Sequence, residues 1–130
     1  MAETGPIFVA GPERSGTSLL YSLLASHPSI AMTRRTNLWR YFHDQYGDLA
    51  VPANLERCLA TMRRYRRLRV IDTDVDRLRA DFLAGDDRSY ARLFALIQEQ
   101  HAERLGKPRW GDKSLQTEWH AEAIIAAYPG

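Results

Sequence analysis

The chain has 130 residues, which is enough for one small domain with an ordinary apolar core. Its 18 lysines and arginines nearly balance 16 aspartates and glutamates, and a net charge of +2 is too small to indicate a nucleic-acid partner. The single cysteine, Cys58, excludes a disulfide framework and a cysteine-based metal site. Neither a signal peptide nor an apolar run of membrane-spanning length is evident, so we expect a soluble cytoplasmic protein without a membrane partner.

The first predicted elements are a strand, a tight loop and a helix. Residues 7–10 form a short apolar run bounded by proline and glycine, which predicts a buried strand. Four leucines between residues 19 and 24 then recur at helical spacing and predict a helix from about Gly16 to Ser26, before His27-Pro28. A helix that starts after such a loop directs backbone N–H groups and its positive dipole end at one point. The arrangement therefore predicts an anion site.

The loop has the glycine spacing of a phosphate-binding loop. Gly11 and Gly16 are separated by four residues, as in the ATP-binding P-loop, but Thr17 stands where that loop requires lysine. The missing lysine argues against an ordinary ATPase or kinase. Arg14 supplies a cation inside the loop instead. A phosphate with a second anionic group would meet this arginine, the backbone N–H groups and the hydroxyls of Thr17 and Ser18.

Two blocks of sequence carry a family resemblance. Residues 11–20 read Gly-Pro-Glu-Arg-Ser-Gly-Thr-Ser-Leu-Leu and are followed by His27-Pro28. Residues 109–114 read Arg-Trp-Gly-Asp-Lys-Ser, and the aromatic-proline pair Tyr128-Pro129 follows them. In this order the blocks resemble the 5′-phosphosulfate loop and the W-G-D-K-[ST]-P block of the sulfotransferase family. The resemblance covers residues 6–38 and 107–130.

The resemblance implies transfer of a sulfonyl group from 3′-phosphoadenosine 5′-phosphosulfate to a hydroxyl or amine, without a metal. By position, it assigns five residues to the 5′-phosphosulfate: Arg14, Ser15, Gly16, Thr17 and Ser18. Lys113 matches the lysine of the second block and would stabilise the bridging oxygen as the bond breaks. By analogy with phosphoryl transfer, the protein would supply positioning, charge stabilisation and a base for the acceptor proton.

The resemblance does not identify this base. Tyrosine-sulfating relatives place a glutamate a few residues beyond the His-Pro pair, and here that place falls at Arg34 or Arg35, which cannot accept a proton at neutral pH. The cytosolic small-molecule branch uses a histidine near the second block, where no histidine precedes His120. Three side chains are left as substitutes, since histidine exchanges protons near neutral pH and one aspartate adjoins Lys113. They are His43, Asp44 and Asp112.

The middle of the chain is predicted to be mainly helical. Residues 30–32 form a short extended piece, and residues 109–112 predict a second strand or its edge. Helices are expected over residues 37–46, from Pro52 or Asn54 through Arg69, over 74–83, from a cap within 86–89 through Leu105, and from Thr117 or Glu118 onward. Trp119 is expected to face inward in the last helix.

Two further features allow two interpretations each. The arginine-rich run 63–69 is interpreted as a solvated helix face, with steering of an anionic cofactor or an acidic acceptor as the alternative. The aromatic residues between positions 39 and 46 are interpreted as core, with the wall of an acceptor pocket as the alternative.

The element order predicts an α/β fold with a P-loop NTPase-like parallel sheet flanked by helices, in one domain over residues 1–130. Only two strands are credible, and the family's next strand and 3′-phosphate segment would follow Gly130. We therefore expect the N-terminal portion of a larger enzyme. Two alternatives are another P-loop nucleotide-binding enzyme, kinase-like, and a non-catalytic helical binding fragment. The acceptor is left open among small molecules, glycans and peptides that carry a hydroxyl.

Overall fold

The computed structural model describes residues 5–10, 17–114 and 117–128, apart from the side chains of Thr17, Ser18 and Glu118. This part of the chain forms a mixed α/β fold. Its elements are β1 (Ile7–Val9), α1 (Thr17–Ala25), β2 (Ile30–Arg34), α2 (Leu38–Tyr41), α3 (Pro52–Arg64), α4 (Arg66–Val70), α5 (Val75–Ala84), α6 (Tyr90–Leu105), β3 (Arg109–Lys113), a 3-10 helix (Thr117–His120) and α7 (Ala121–Ala127). Within these ranges, no helix is long and apolar enough to cross a bilayer.

The three strands form a parallel sheet with β3 at its centre, in the order β1-β3-β2. Phe8 of β1 lies opposite Asp112 of β3, and Thr33 of β2 lies opposite the same aspartate. The prediction of a parallel sheet is confirmed. The prediction of only two strands is wrong, because the extended piece at 30–32 is part of a five-residue strand. The second block is the central strand, since it pairs on both sides.

The two faces of the sheet pack on different helices. Val9, Ile30 and Met32 pack against Tyr21 and Leu24 of α1 in a small apolar cluster. The larger core cluster joins residues of α2 through α7 and includes Phe8 at its border. Neighbouring residues of β1 enter different clusters because side chains alternate along a strand. On α1 itself, three large apolar side chains are exposed: Leu19, Leu20 and Leu23.

Helix ends that depend on local chemistry agree with the sequence. The side chain of Asp74 accepts a hydrogen bond from the backbone N–H of Arg77, and Ser89 caps α6 in the same way. Gly106 ends α6 in the left-handed conformation, with φ at 67°. The predicted cap within 86–89 and the predicted end of this helix at Leu105 are confirmed, because each depends only on residues a few positions away.

Three helix predictions are wrong. The helix predicted over 37–46 ends at Tyr41, because Asp44 and Gly47 adopt positive φ. The Tyr90 hydroxyl also accepts a hydrogen bond from the backbone N–H of Tyr46 and donates one to the carbonyl of Gly47. The helix predicted through Arg69 breaks at Tyr65, whose ψ of 117° is extended. Trp119 was predicted to face inward but is 72% exposed.

Candidate functional site

The three strands end at one edge of the sheet because they are parallel. The last residues are Val9, Arg34 and Lys113, and the register pairs Lys113 with each of the other two. Helix α1 begins at Thr17, eight positions after the last residue of β1. In open α/β sheets, ligands bind outside the carboxyl ends of the strands. This carboxyl edge is therefore the candidate site.

Two cationic residues lie on the α1 side of the carboxyl edge. Gly111 and Met32 lie on the face of the sheet that packs against α1. Lys113 follows Gly111 by two positions, and Arg34 follows Met32 by two positions. Because side chains alternate along a strand, Lys113 and Arg34 lie on the same face. The guanidinium of Arg34 lies 5.1 Å from the centroid of the Tyr21 ring in α1. Both positive charges thus lie beside the helix that follows the predicted phosphosulfate loop.

Asp112 lies on the opposite side and is only 4% exposed. Its Oδ1 accepts hydrogen bonds from the hydroxyls of Thr33 and Thr36, at 2.7 and 2.9 Å, and its Oδ2 accepts one from Ser114 at 2.7 Å. Burial raises the pKa of this carboxyl group, while the three hydroxyl groups act in the opposite direction. These hydrogen bonds join Asp112 to the loop that follows β2.

The loop between β2 and α2 is fixed to the end of β3. The backbone N–H of Arg35 donates to the carbonyl of Lys113 at 2.8 Å, and that of Asn37 donates to Ser114 Oγ at 3.0 Å. Arg35 and Asn37 both have positive φ, 58° and 51°. Such conformations are uncommon outside glycine and cluster at ligand-binding sites. Asn37 Oδ1 is also buried without a hydrogen-bond partner in the part of the chain that the structure describes.

Two histidines that are distant in sequence lie close together beside this loop. The ring centroids of His43 and His120 are 6.3 Å apart, and the ring of His43 packs on Trp39 at 4.8 Å. His43 Nδ1 lies 3.7 Å from Asp44 Oδ2. His120 lines a small cavity with Asn37 and Ser114, among others. The structure thus places His43, one of the substitute bases, beside His120 as well as beside its neighbour in sequence, Asp44.

The residues assigned to the phosphosulfate are only partly described. Arg14, Ser15 and Gly16 lie outside the described residues, while Thr17 and Ser18 begin α1. Lys113 lies at the carboxyl edge, as its block in the sequence implies. Among the residues with a described position, no three histidine, cysteine, aspartate or glutamate side chains are arranged to hold a metal ion.

Sequence reasoning missed Arg34 and Asn37 as members of the site. The strand was recognised only over residues 30–32, so the pairing of Arg34 with Lys113 was not predicted. The threonine and two arginines that follow Met32 were the available signal, since they mark where an apolar strand reaches solvent.

Comparison with known families agrees with this geometry. The model of the sulfotransferase family matches residues 6–130, so the chain belongs to the sulfotransferase family. The match confirms the resemblance and extends it through the helical middle of the chain. No curated protein and no solved structure matches the chain.

Proposed function

We propose that the protein transfers a sulfonyl group from 3′-phosphoadenosine 5′-phosphosulfate to a hydroxyl or amine at the carboxyl edge. The position of Lys113 is the main observation in support of this proposal. Lys113, the lysine of the second block, ends the strand that pairs directly with β1, at the edge where α1 begins. Membership of the sulfotransferase family supports transferase chemistry.

The residues at the carboxyl edge suit an anionic donor. Lys113 and Arg34 offer two positive charges on the α1 side. The start of α1 offers backbone N–H groups, as in P-loop proteins. Five residues would hold the 5′-phosphosulfate there: Arg14, Ser15, Gly16, Thr17 and Ser18. Lysine and arginine bind phosphate and sulfate oxygens through charge-assisted hydrogen bonds.

In the reaction, an oxygen or nitrogen of the acceptor bonds to the sulfur of the donor, and the bond between sulfur and the bridging phosphate oxygen breaks. Lys113 stabilises the negative charge that develops on that bridging oxygen. The acceptor proton passes to a base, for which we propose His43. Its Nδ1 lies 3.7 Å from the Asp44 carboxylate, whereas hydroxyl groups already bond to both oxygens of Asp112.

The test is release of adenosine 3′,5′-bisphosphate from the donor in the presence of 4-nitrophenol, a tyrosine peptide or chondroitin. Release above the acceptor-free blank is expected with at least one acceptor. It should fall about 100-fold in Lys113→Ala, as for other groups that stabilise developing charge. A cooperative unfolding transition should show that this variant is still folded.

Lys107→Ala is the matched control. Lys107 precedes β3 at the other edge of the sheet, and its Nζ donates to the carbonyls of Ala25 and Ile30. We expect this variant to lose stability and keep transfer activity. Equal loss of activity in the two variants, or no release with any acceptor, would contradict the proposal.

A further inference from the structure

We propose that Tyr90 is a positioning residue for His43: its hydroxyl holds the loop that carries this base, and its ring restricts the imidazole. The inference rests on the proposed function, because it concerns the residue proposed to take the acceptor proton. Tyr90 begins α6 and is only 7% exposed. Its role is therefore to act through His43, which is half-buried and open to solvent on one side.

The Tyr90 hydroxyl makes two hydrogen bonds to the backbone of the loop that follows α2. It accepts one from the N–H of Tyr46 at 2.9 Å and donates one to the carbonyl of Gly47 at 2.7 Å. His43 lies near the start of this loop, and its own N–H donates to the carbonyl of Leu38 at 3.2 Å. The segment that carries His43 is therefore held by α2 on one side and by Tyr90 on the other.

The backbone between these two attachments needs such support. Asp44 and Gly47 have φ of 57° and 77°, in the left-handed region. This region is uncommon for residues other than glycine, and a residue stays there only where the surrounding structure holds it. Removal of the Tyr90 hydroxyl should therefore loosen the turn that directly follows His43.

Three aromatic rings pack near the imidazole of His43. Its centroid lies 4.8 Å from that of Trp39, 5.8 Å from that of Tyr90 and 6.3 Å from that of His120. The Tyr90 ring meets it edge to face, with an interplanar angle of 71°. An imidazole with three such neighbours has few orientations open to it, so the ring of Tyr90 restricts the base as well as its hydroxyl does.

Helix α6 also connects Tyr90 to the strands that form the carboxyl edge. Gln98 lies in this helix, eight positions after Tyr90, and its Oε1 accepts a hydrogen bond from the hydroxyl of Thr33 at 3.0 Å. Thr33 belongs to β2, which pairs with the strand that ends in Lys113. Through α6, Tyr90 therefore fixes His43 relative to Lys113, the residue proposed to stabilise the bridging oxygen.

The variant Tyr90→Phe tests the inference, because it removes the hydroxyl and keeps the ring. The ring signals of isotope-labelled histidines are followed by NMR in the 130-residue chain and assigned with single His→Gln variants. The matched control is Tyr128→Phe, since the hydroxyl of Tyr128 donates to a backbone carbonyl of the same helix. We expect the signals of His43 to shift or broaden in Tyr90→Phe and to keep their wild-type positions in Tyr128→Phe. The signals of His27 and His101 should not change in either variant.

Kinetics show whether Tyr90 acts through His43. With an acceptor that the wild type uses, Tyr90→Phe should lower kcat about tenfold or more and leave the KM of the donor within about twofold, because a displaced base slows the reaction without weakening donor binding. In the His43→Ala background, the same substitution should change kcat by less than about twofold, because the group that Tyr90 positions is already gone. Tyr128→Phe should leave kcat unchanged in both backgrounds.

Three results would overturn the inference. They are unchanged His43 signals in Tyr90→Phe, an unchanged kcat in this variant, and a loss of kcat that is equally large in the His43→Ala background. The proposed function fails separately. If the wild type transfers no sulfonyl group, the transferase proposal is wrong, and if His43→Ala keeps the wild-type rate, the choice of base is wrong. In both cases the histidine signals still report whether Tyr90 holds His43.

Discussion

Thr33 and Asp112 are joined across neighbouring strands: the threonine hydroxyl donates to Asp112 Oδ1 over 2.7 Å. The two residues are register partners in β2 and β3. Thr36 and Ser114 complete a buried polar network around the same carboxyl group. The network holds the loop after β2 against the strand that carries Lys113, so it couples the stability of the fold to the geometry of the site.

Removal of this carboxyl group should destabilise the protein. We expect Asp112→Ala to lower the free energy of unfolding by about 2 to 3 kcal/mol, because the buried hydroxyls of Thr33, Thr36 and Ser114 lose the carboxyl group that they share. Asp112→Asn keeps one acceptor oxygen and should cost about 1 kcal/mol. Urea unfolding followed by circular dichroism measures both. Asp86→Ala, at an exposed carboxylate, is the control and should be neutral. A neutral Asp112→Ala would contradict the network.

The same carboxyl group should make stability depend on pH. Burial raises the pKa of Asp112 above its usual 3.8, so the folded chain binds the proton more tightly than the unfolded chain. The resulting stabilisation is complete below the usual pKa and is lost as pH rises through the raised one. We therefore expect the stability of the wild type, relative to Asp112→Asn, to increase as pH falls from 7 towards 4. A pH-independent difference in urea unfolding would contradict this assignment.

His101 should act in the opposite direction. Burial lowers the pKa of this histidine, and the charges of Arg104 and Lys107 lower it further by smaller amounts. A hydrogen bond with the backbone of Met32 acts in the opposite direction. Its contribution to stability is present above the usual pKa of 6.5 and is lost as pH falls through the lowered value. His101→Gln should therefore reduce the loss of melting temperature between pH 7.5 and pH 5. His27→Gln, at an exposed position, should keep the full wild-type loss; equal curves for the two variants would refute the role of His101.

Gly111 is required by the close packing of the central strand. A Cβ atom at this position would lie 2.5 Å from Met32 Sδ and 2.7 Å from the carbonyl oxygen of Ile7. Gly111→Ala should lower the free energy of unfolding by about 2 to 3 kcal/mol through overpacking. The double variant Gly111→Ala/Met32→Ala should not regain the lost stability, because the backbone of Ile7 cannot move aside. Gly85→Ala, with no atom within 4 Å of the added Cβ, is the matched control.

The features that depend on residues close together in sequence were predicted, and those that depend on distant residues were not. The cap within 86–89, which is Ser89, and the end of α6 at Leu105 involve only nearby residues, and both were predicted. The short α2 was not, because Tyr90, more than 40 residues away, bonds the segment around Tyr46 and Gly47. The central place of β3 was also missed, since strand order depends on pairing across the whole chain.

The candidate site divides in the same way. Lys113 was predicted because it stands in a short block that resembles a family motif. Arg34 was not predicted, because its place beside Lys113 requires the register of β2 on β3. The break in the arginine-rich run 63–69 was not predicted either, because Tyr65 packs on Tyr41 and Phe42, which are more than 20 residues away in the sequence.

The donor site can be tested most directly by thermal unfolding with adenosine 3′,5′-bisphosphate, beside ADP and Mg-ATP. A ligand at 100 times its Kd stabilises the folded state by about 2.7 kcal/mol. We predict a larger increase in melting temperature with the bisphosphate than with ADP, and its loss in Arg14→Ala/Thr17→Ala and in Arg34→Ala/Lys113→Ala. An increase with Mg-ATP alone would contradict a phosphosulfate site at the carboxyl edge.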